Sequence, residues 1–316
     1  MSMPVFVDTD IGLGTAGAEI DDGAALIVLC HSPEVDVRGI SLVYGNVPVD
    51  QAHKNVSCLL ALLGRQDIRV APGAAHSLVY DQAWSDKQAA GHAAKLPPDP
   101  DWHIKPGEML AADLLIKTIR SAPGEITVLA IGPLTNLAIA LDRAPDIEKS
   151  VRQIIAMGGM FAGAAPFSTE FNIRNDPEAA QRVLRASWPI RLLGLEITRQ
   201  VLFSRADFNS LDNARPELAL LKDQALQWIP RVEKMGWESG GCCLHDAIAA
   251  ATLLDEDLAE YIQAGLDVIT EPEARRGVTV ISSEDSMPAA GRKTVAVALD
   301  AIRCHDLIME RLGRKK

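Results

Sequence analysis

The chain has 316 residues, 48% of them hydrophobic, and no linker-like segment interrupts it, which favours one large α/β domain over residues 1–316. The formal net charge of −11 argues against nucleic-acid binding, which needs clustered lysine and arginine to replace counterions. The five cysteines are odd in number and lack metal-ligand spacing, which argues against a disulfide framework or a zinc site and favours reduced thiols in the cytoplasm.

The N-terminal segment leads directly into a predicted strand without the features of a secretory leader, and no apolar run approaches membrane-spanning length, so no membrane partner is expected. Runs rich in β-branched residues predict strands of a buried parallel sheet at 4–7, 37–43, 68–70, 126–130, 151–157 and 190–193. Helical periodicity between them predicts helices at 21–30, 49–63, 107–120, 134–141 and 177–186.

Two stretches lack a sustained period. Residues 76–106 predict a long surface loop or a partly helical flap, and residues 204–241 predict an irregular, helix-prone segment. Residues 266–270, 277–282 and 293–298 predict antiparallel strands, and a last helix is expected at 301–312. The predicted fold is therefore an open, mostly parallel sheet flanked by helices, with a small antiparallel addition near the C-terminus.

Polar residues and glycines follow several predicted strands. Asp8 and Asp10 close the first strand, Asn46 follows the second, and Gly132 and Gly158 follow the fourth and fifth. In an open α/β sheet, ligands bind at the carboxyl ends of the strands. We therefore expect these residues, which are distant in sequence, to meet in one crevice.

Four carboxylates surround the first strand-to-helix turn: Asp8, Asp10, Asp21 and Asp22. Carboxylates packed this closely repel one another unless a cation neutralises them, and a set of oxygen ligands favours calcium over zinc. The alternative is that Asp21 and Asp22 cap a helix and interact with its dipole while Asp8 is solvated.

The same turn offers two competing interpretations. Residues 12–17 match G-x-G-x-x-G, the dinucleotide-binding pattern, but a pyrophosphate there would face four aspartates. Residues 8–12 approach the D-x-D-x-[TV] opening of haloacid-dehalogenase-like phosphatases, in which Asp8 would be the nucleophile and Asp10 a general acid with magnesium. Gly12 stands where that opening has Thr or Val, and those enzymes do not need Asp21 and Asp22.

Two further motifs carry polar groups. Glu170 and Asn172, in E-F-N-I, are spaced to hydrogen-bond vicinal hydroxyls, although the segment equally fits a helix entry with Asp176 as the cap. His245 and Asp246 precede a helical run, where such a pair is usually a cap and a surface imidazole.

In their order along the chain, these motifs resemble the inosine–uridine-preferring nucleoside hydrolase family. Seven elements are similar to those of the family. They are the paired aspartates, Gly45-Asn46, the G-P-L-T-N turn at 132–136, M-G-G at 157–159, E-F-N-I at 170–173, D-P-E-A-A at 176–180 and His245-Asp246. The resemblance implies an enzyme that hydrolyses the N-glycosidic bond of a ribonucleoside to free base and ribose. It also implies a homo-oligomer, either a dimer or a tetramer.

Roles follow from the resemblance for individual residues. Asp10 would be the general base on a calcium-bound water, Asp8 would support the cluster, and His245 would lie near the leaving base, where its ordinary pKa suits a proton donor. The implied Ca²⁺ ligands are Asp10, Asp22, the backbone carbonyl of Ile131 and Asp246. The implied sugar contacts are Asp21, Asn46, Glu170 and Asn172.

The chain departs from the family pattern in two places. Ten residues separate Asp10 from Asp21, seven more than in the family pattern, so residues 13–19 must bulge and Glu19 could join the ion as an extra ligand. Ala164 stands where an asparagine commonly contacts the 5′-hydroxyl, so a substrate modified at the 5′ position is conceivable.

The base-binding aromatic is less well defined. Four tryptophans lie in or beside the irregular stretches, and each could stack on a base or simply pack in the core; they are Trp84, Trp102, Trp228 and Trp237. Trp237 is the first choice because it lies just before His245. A protein that binds nucleosides without turnover on the same scaffold is the alternative from a different functional class.

Overall fold

A computed structural model describes residues 2–79, 109–161, 169–282 and 292–313. Nine of its strands form one sheet in the order β10-β9-β11-β6-β5-β4-β1-β2-β3. Two short strands, β7 and β8, pair antiparallel elsewhere. The strands are β1 Met3–Thr9, β2 Val35–Leu42, β3 Val70–Pro72, β4 Thr127–Ala130, β5 Gln153–Met157, β6 Ile190–Leu193, β7 Phe203–Ser204, β8 Gly241–Cys242, β9 Ala259–Val268, β10 Thr279–Ser282 and β11 Arg292–Leu299.

Eleven α-helices lie within the described residues. They are α1 Asp21–Cys30, α2 Val49–Leu62, α3 Ala111–Ser121, α4 Thr135–Arg143, α5 Phe171–Asn175, α6 Pro177–Arg185, α7 Leu195–Thr198, α8 Arg205–Asn209, α9 Pro216–Met235, α10 His245–Leu254 and α11 Ala301–Arg311. None of the helices in this part of the chain is long and apolar enough to cross a membrane.

The sheet is covered on both faces because successive side chains of a strand point to opposite sides. In β1, Val5 and Val7 belong to one buried cluster, whereas Phe6 belongs to the other. All four residues of β4 are buried. This double burial explains why the central strands are continuous apolar runs.

The strand order reverses at β1. The chain runs outward from β1 through β2 to β3, then returns to place β4 on the other side of β1 and continues outward to β5 and β6. All of these neighbours are parallel. The crevice at such a reversal is where open α/β sheets bind ligands, so the topology locates the site at the carboxyl end of β1.

The predicted fold class is confirmed. The antiparallel addition consists of β9, which pairs antiparallel with both β10 and β11, while β11 itself pairs parallel with β6. The addition therefore extends the main sheet at its edge. Most of the predicted loop at 76–106 lies outside the described residues.

The segment at 204–241, predicted as irregular and helix-prone, is helical over residues 216–235, but these form one regular 20-residue helix, α9. Pro230 lies inside this helix, where proline leaves one backbone hydrogen bond unmade. The apolar face that holds the helix on the core explains why it persists; its buried members include Leu218, Leu221, Ala225, Trp228, Ile229 and Val232. Gly236 ends the helix in the left-handed conformation with φ of 70°.

Candidate active site

The predicted strand-end residues meet at the strand reversal. Asn46, after β2, donates its backbone N–H to Asp10 Oδ2 at 2.6 Å and its side-chain amide to Asp22 Oδ2 at 3.0 Å. Across the crevice, Asn172 Nδ2 donates to the backbone carbonyls of Ile131 at 3.2 Å and Met157 at 3.1 Å. These hydrogen bonds join the ends of β1 and β2 to each other and, through Asn172, the ends of β4 and β5 to each other.

Three buried carboxylates gather where two helices begin. Asp21 and Asp22 form the first turn of α1, and Asp246 lies in the first turn of α10. One oxygen from each lies within 4.8 Å of the others. Helix N-termini favour negative charge, which stabilises the acids at these positions. Asp246 is more than two hundred residues from Asp21 and Asp22 in sequence, and the packing of α10 beside α1 brings them together.

Burial and mutual repulsion shift the pKa values of these acids. Burial, with repulsion from Asp22, raises the pKa of Asp21 to about 8, and burial raises that of Asp22 to about 6. Burial first, and then the neighbouring carboxylates, raise the pKa values of Asp10 and Asp246 well above their usual range. The cluster therefore resists full ionisation unless a cation compensates it. Because all the donors are oxygens, the residues fit a hard divalent ion.

Asp8 lies below this cluster and is fully buried. Its Oδ1 accepts hydrogen bonds from Ser41 Oγ and, at 2.8 Å, from Asn136 Nδ2. Among the described residues Oδ2 has no hydrogen-bond partner, and burial raises the pKa of this carboxyl to about 7. The alternative of a solvated Asp8 is wrong.

Asn136 is a positioning residue whose role the G-P-L-T-N motif alone does not predict. Its Nδ2 also donates to the Leu42 carbonyl at 3.0 Å, and its Oδ1 accepts from the Ala74 backbone at 2.9 Å. Thr9 also positions an acid, because its hydroxyl donates a hydrogen bond to Asp22 Oδ1. Both residues hold the acids in place; Thr9 is the last residue of β1, and Asn136 lies in the first turn of α4, which follows the end of β4.

Gly45 leaves room for the side chain of Asp10. A Cβ at this position would lie 1.9 Å from Asp10 Oδ2, whereas one at Gly158 would lie 3.3 Å from its nearest neighbour. We predict that Gly45→Ala displaces Asp10 and lowers kcat by about a hundredfold, since a displacement near 1 Å has that cost. Gly158→Ala is the matched control and should cost far less. Kinetics with circular dichroism checks both, and equal losses would contradict the prediction.

Glu170 and Asn172 lie together in the crevice. Glu170 caps α5, because its carboxylate accepts from the backbone N–H groups of Asn172 at 2.7 Å, Gly159 at 3.0 Å and Ile173 at 3.0 Å. Asp176 caps α6 through Ala179 at 3.0 Å. The helix-entry interpretation is therefore confirmed. It does not exclude sugar binding, since Glu170 and Asn172 both line the cavity described below.

His245 is buried at the start of α10, and its environment differs from the expectation. Nδ1 lies 2.8 Å from Thr198 Oγ1, and Nε2 lies 3.8 Å from Glu238 Oε1. Burial, together with the nearby Arg199 charge, lowers the pKa of His245 to about 4. The expectation of an ordinary pKa is therefore wrong, and the imidazole is neutral at pH 7.

A cavity of approximately 370 Å³ opens onto these groups. Its lining contains the acids Asp21, Glu170, Glu238 and Asp246, the arginines Arg174, Arg199 and Arg231, and also Asn46, Ile131, Asn172, His245, Trp228 and Trp237. Trp237 is 50% exposed and meets the buried Trp228 edge-on at 6.4 Å between ring centroids. Trp84, Trp102 and Ala164 lie outside the described residues.

The inserted residues 13–19 are held by hydrogen bonds to two helices, α2 and α9. Asn55 of α2 donates to the Ile11 carbonyl at 2.9 Å and to Thr15 Oγ1 at 3.0 Å, and Gln224 of α9 accepts from the Gly14 backbone at 2.8 Å. The end of the insertion lines the cavity through residues 17–19. Burial and the carboxylates of Asp21 and Asp22 raise the pKa of Glu19 well above its usual range.

Comparison with known proteins decides the family. The sequence pattern of the family described as inosine-uridine preferring nucleoside hydrolase matches residues 5–306. The chain belongs to this family. The predicted enzyme class, a hydrolase of nucleoside N-glycosidic bonds, is thereby confirmed, and the dinucleotide-binding and phosphatase interpretations are set aside.

Relatives within the family match along nearly their whole length. The pyrimidine-specific ribonucleoside hydrolase RihA of Citrobacter koseri is 31% identical over 315 residues, covering 99% of each chain. The probable uridine nucleosidase 2 of Arabidopsis thaliana is 33% identical, covering 98% of this chain and 97% of that protein.

Two solved structures agree with the fold. A plant nucleoside hydrolase, the PpNRh1 enzyme, superimposes with a TM-score of 0.83 at 30% identity, covering 99% of each chain. The purine-preferring ribonucleoside hydrolase from Gardnerella vaginalis gives 0.81 at 27% identity, covering 98% of each chain.

Proposed function

We propose that this member of the family hydrolyses ribonucleosides to free base and ribose at a Ca²⁺-dependent site, with Asp10 as the general base. The observation that carries the proposal is the gathering of Asp21, Asp22 and Asp246, with Asp10 beside them, in one buried cluster that opens to a cavity. Family membership supports the reaction, and the cluster supports the choice of residues.

Oxygen donors alone would hold the ion. Asp10, Asp22, Asp246 and the Ile131 carbonyl would be its protein ligands, and calcium is the hard cation that accepts such mixed carboxylate and carbonyl sets. When bound, the ion supplies an anchor for ribose hydroxyls and lowers the pKa of a coordinated water. Asp21 lines the cavity and would bind the ribose hydroxyls, while Glu19, which lines the same cavity, would be a candidate extra ligand.

Asp10 is held for proton transfer. The Asn46 backbone N–H fixes Oδ2 at 2.6 Å, and the space left by Gly45 and Gly132 lets the carboxylate lie against the strand ends. An ionised carboxylate held in this way beside an ion-bound water would be within reach of the proton that the water loses. We infer that Asp10 takes the proton of the attacking water.

Carboxylates line the cavity in which the ribose would lie. Cleavage of the ribosyl C–N bond gives an oxocarbenium-like ribose, which Asp21, Asp246 and Glu170 would stabilise more than the neutral substrate. Asn46 and Asn172 add amide donors and acceptors for the sugar hydroxyls. These contacts with the sugar would therefore stabilise the transition state more than the bound substrate.

The leaving base would contact His245 and the tryptophan pair. With a pKa near 4, His245 is a neutral hydrogen-bond partner, and a neutral imidazole can still donate one N–H to a base nitrogen. Trp237 extends over the cavity mouth beside Trp228, where it would stack on a planar base. Relatives are named for pyrimidine, uridine or purine substrates, so all four common ribonucleosides belong in the test.

The test is release of reducing sugar. Protein saturated with Ca²⁺ is incubated with uridine, cytidine, inosine and adenosine, and ribose is measured with time. We expect ribose release from at least one of them. If a nucleoside binds, as shown by calorimetry, and no ribose appears from any, the protein is a binder and the proposed function is wrong.

Three further statements stay predictions. One domain over residues 1–316 is supported by a single sheet that takes strands from Met3 to Leu299. A homo-oligomer, dimer or tetramer, would be tested by sedimentation. Residence in the cytoplasm would be tested by fractionation.

A further inference from the structure

A second group of metal-binding side chains lies beside the acid cluster. A carboxylate oxygen of Glu238, the Cys243 sulfur and a ring nitrogen of His245 all lie within 4.8 Å of one another. Cys243 is 3% exposed, and the Glu238 and His245 side chains are 10% and 11% exposed. We propose that these three residues form a binding site for Zn²⁺, separate from the calcium site, and that zinc bound there inhibits the enzyme.

The donor set distinguishes this site from the acid cluster. Thiolate and imidazole are ligands of zinc and poor ligands of calcium, which prefers oxygen. Zinc–ligand bonds of about 2.0–2.3 Å at tetrahedral angles separate neighbouring ligand atoms by roughly 3.3–3.7 Å. The 3.8 Å between His245 Nε2 and Glu238 Oε1 is already close to that value. Closing the site needs side-chain movements of about 1 Å.

The surrounding groups orient the ligands. The hydrogen bond between His245 Nδ1 and Thr198 leaves Nε2 directed at Glu238, which is the arrangement that metal-bound histidines use. Glu238 Oε2 accepts from the Cys243 backbone at 3.4 Å. Three protein ligands leave a fourth position, and Glu238 and His245 both face the cavity, so solvent can fill it.

Zinc binding replaces the thiol proton of Cys243, which is released to solvent as the Zn–S bond forms. Burial raises the pKa of the Cys243 thiol most, and the carboxylates of Glu238 and Asp21 raise it further, so their charges favour a cation here. The charge of Arg199 opposes the cation, but it affects the thiol less than the Glu238 carboxylate does.

Inhibition follows if the proposed function is right, and this consequence rests on it. Zinc would occupy His245 Nε2, the group placed near the leaving base, and would fill the base side of the cavity. The spacing of the cysteines does not indicate this site, because the other two ligands are Glu238 and His245. Their arrangement depends on the path of the segment between α9 and α10, which contains β8.

The binding test uses Co²⁺ as a spectroscopic substitute for zinc, with Ca²⁺ in excess to occupy the aspartates. A thiolate–cobalt charge-transfer band should appear, saturate at one equivalent per chain and disappear when Zn²⁺ is added. The band should be absent in Cys243→Ser and Cys243→Ala and present in Cys242→Ser, which removes the adjacent buried thiol. Absence of the band in the wild-type protein, or its persistence in both Cys243 variants, would overturn the site.

The inhibition test compares the same proteins. Zn²⁺ should reduce ribose release by the wild type and by Cys242→Ser. Half-inhibition of Cys243→Ser should need at least about tenfold more Zn²⁺, because removing even a residue that only contacts a metal ligand lowers metal affinity by that factor, and Cys243 is itself a ligand. Without zinc, the activity of the Cys243 variants should equal that of the wild type. If the wild type and Cys243→Ser were equally sensitive to Zn²⁺, the inhibiting zinc would bind at the acid cluster, and the proposal that zinc at Cys243 inhibits the enzyme would be wrong. Cobalt binding with no hydrolysis at all would leave the site intact and contradict only the proposed function.

Discussion

Replacing Asp10 with Asn should lower kcat by at least about a hundredfold, the usual contribution of a general base. Asn keeps the size of the side chain and an oxygen that can accept the Asn46 backbone N–H, so the fold should be preserved. What is lost is the capacity to take a proton from water. Initial rates at saturating nucleoside and Ca²⁺ measure the change, and thermal unfolding checks the structure.

Asp8→Asn is the matched control for this experiment. Its Oδ1 can still accept from Ser41 and Asn136, and the new amide replaces an oxygen that has no hydrogen-bond partner among the described residues. The carboxyl of Asp8 has a pKa near 7 and is already partly neutral, so removing its charge should cost much less than the change at Asp10. Near-normal activity of Asp10→Asn, or equal losses in the two variants, would remove Asp10 from its role.

The residues around Asp10 show what the sequence could predict. Asp10 and Asn46 end neighbouring parallel strands, and that rule alone brings them together. Asp246 is different, because no periodicity connects it to the first strand. Only the ordered motifs of the family predicted its place, and the packing of α10 beside α1 provides it.

Other properties depend on tertiary contacts that a sequence does not display. The low pKa of His245 results from burial and from Arg199, and the charge of a histidine cannot be read from its immediate neighbours in the chain. The insertion at 13–19 was expected to bulge, but its attachment to Asn55 and Gln224 required the positions of α2 and α9. The segment that forms α9 was predicted to be helix-prone, but its 20-residue length was not predicted.

Removing the metal should make stability depend on pH in the opposite sense to ordinary acid denaturation. The buried acids have raised pKa values in the folded protein, about 6 for Asp22 and about 8 for Asp21, against 3.8 for the unfolded chain. The folded state therefore binds more protons than the unfolded state in this range. The free energy of unfolding of the chelated protein should be highest near pH 4 and fall as the pH rises through 6 to 8.

Calcium bound as proposed should reverse this loss, because it would bind the ionised carboxylates that the folded protein otherwise disfavours. Free Ca²⁺ at about 100 times its Kd stabilises the fold by about 2.7 kcal/mol. The difference in Tm between calcium-loaded and chelated protein should consequently grow from pH 5 to pH 8. Asp246→Asn should reduce both the difference and the slope. Asp146→Asn is the control, since Asp146 is an exposed partner of Arg120 whose lowered pKa lies below this window. A calcium effect that is equal at pH 5 and pH 8, or unchanged in Asp246→Asn, would show that the ion does not bind at these acids.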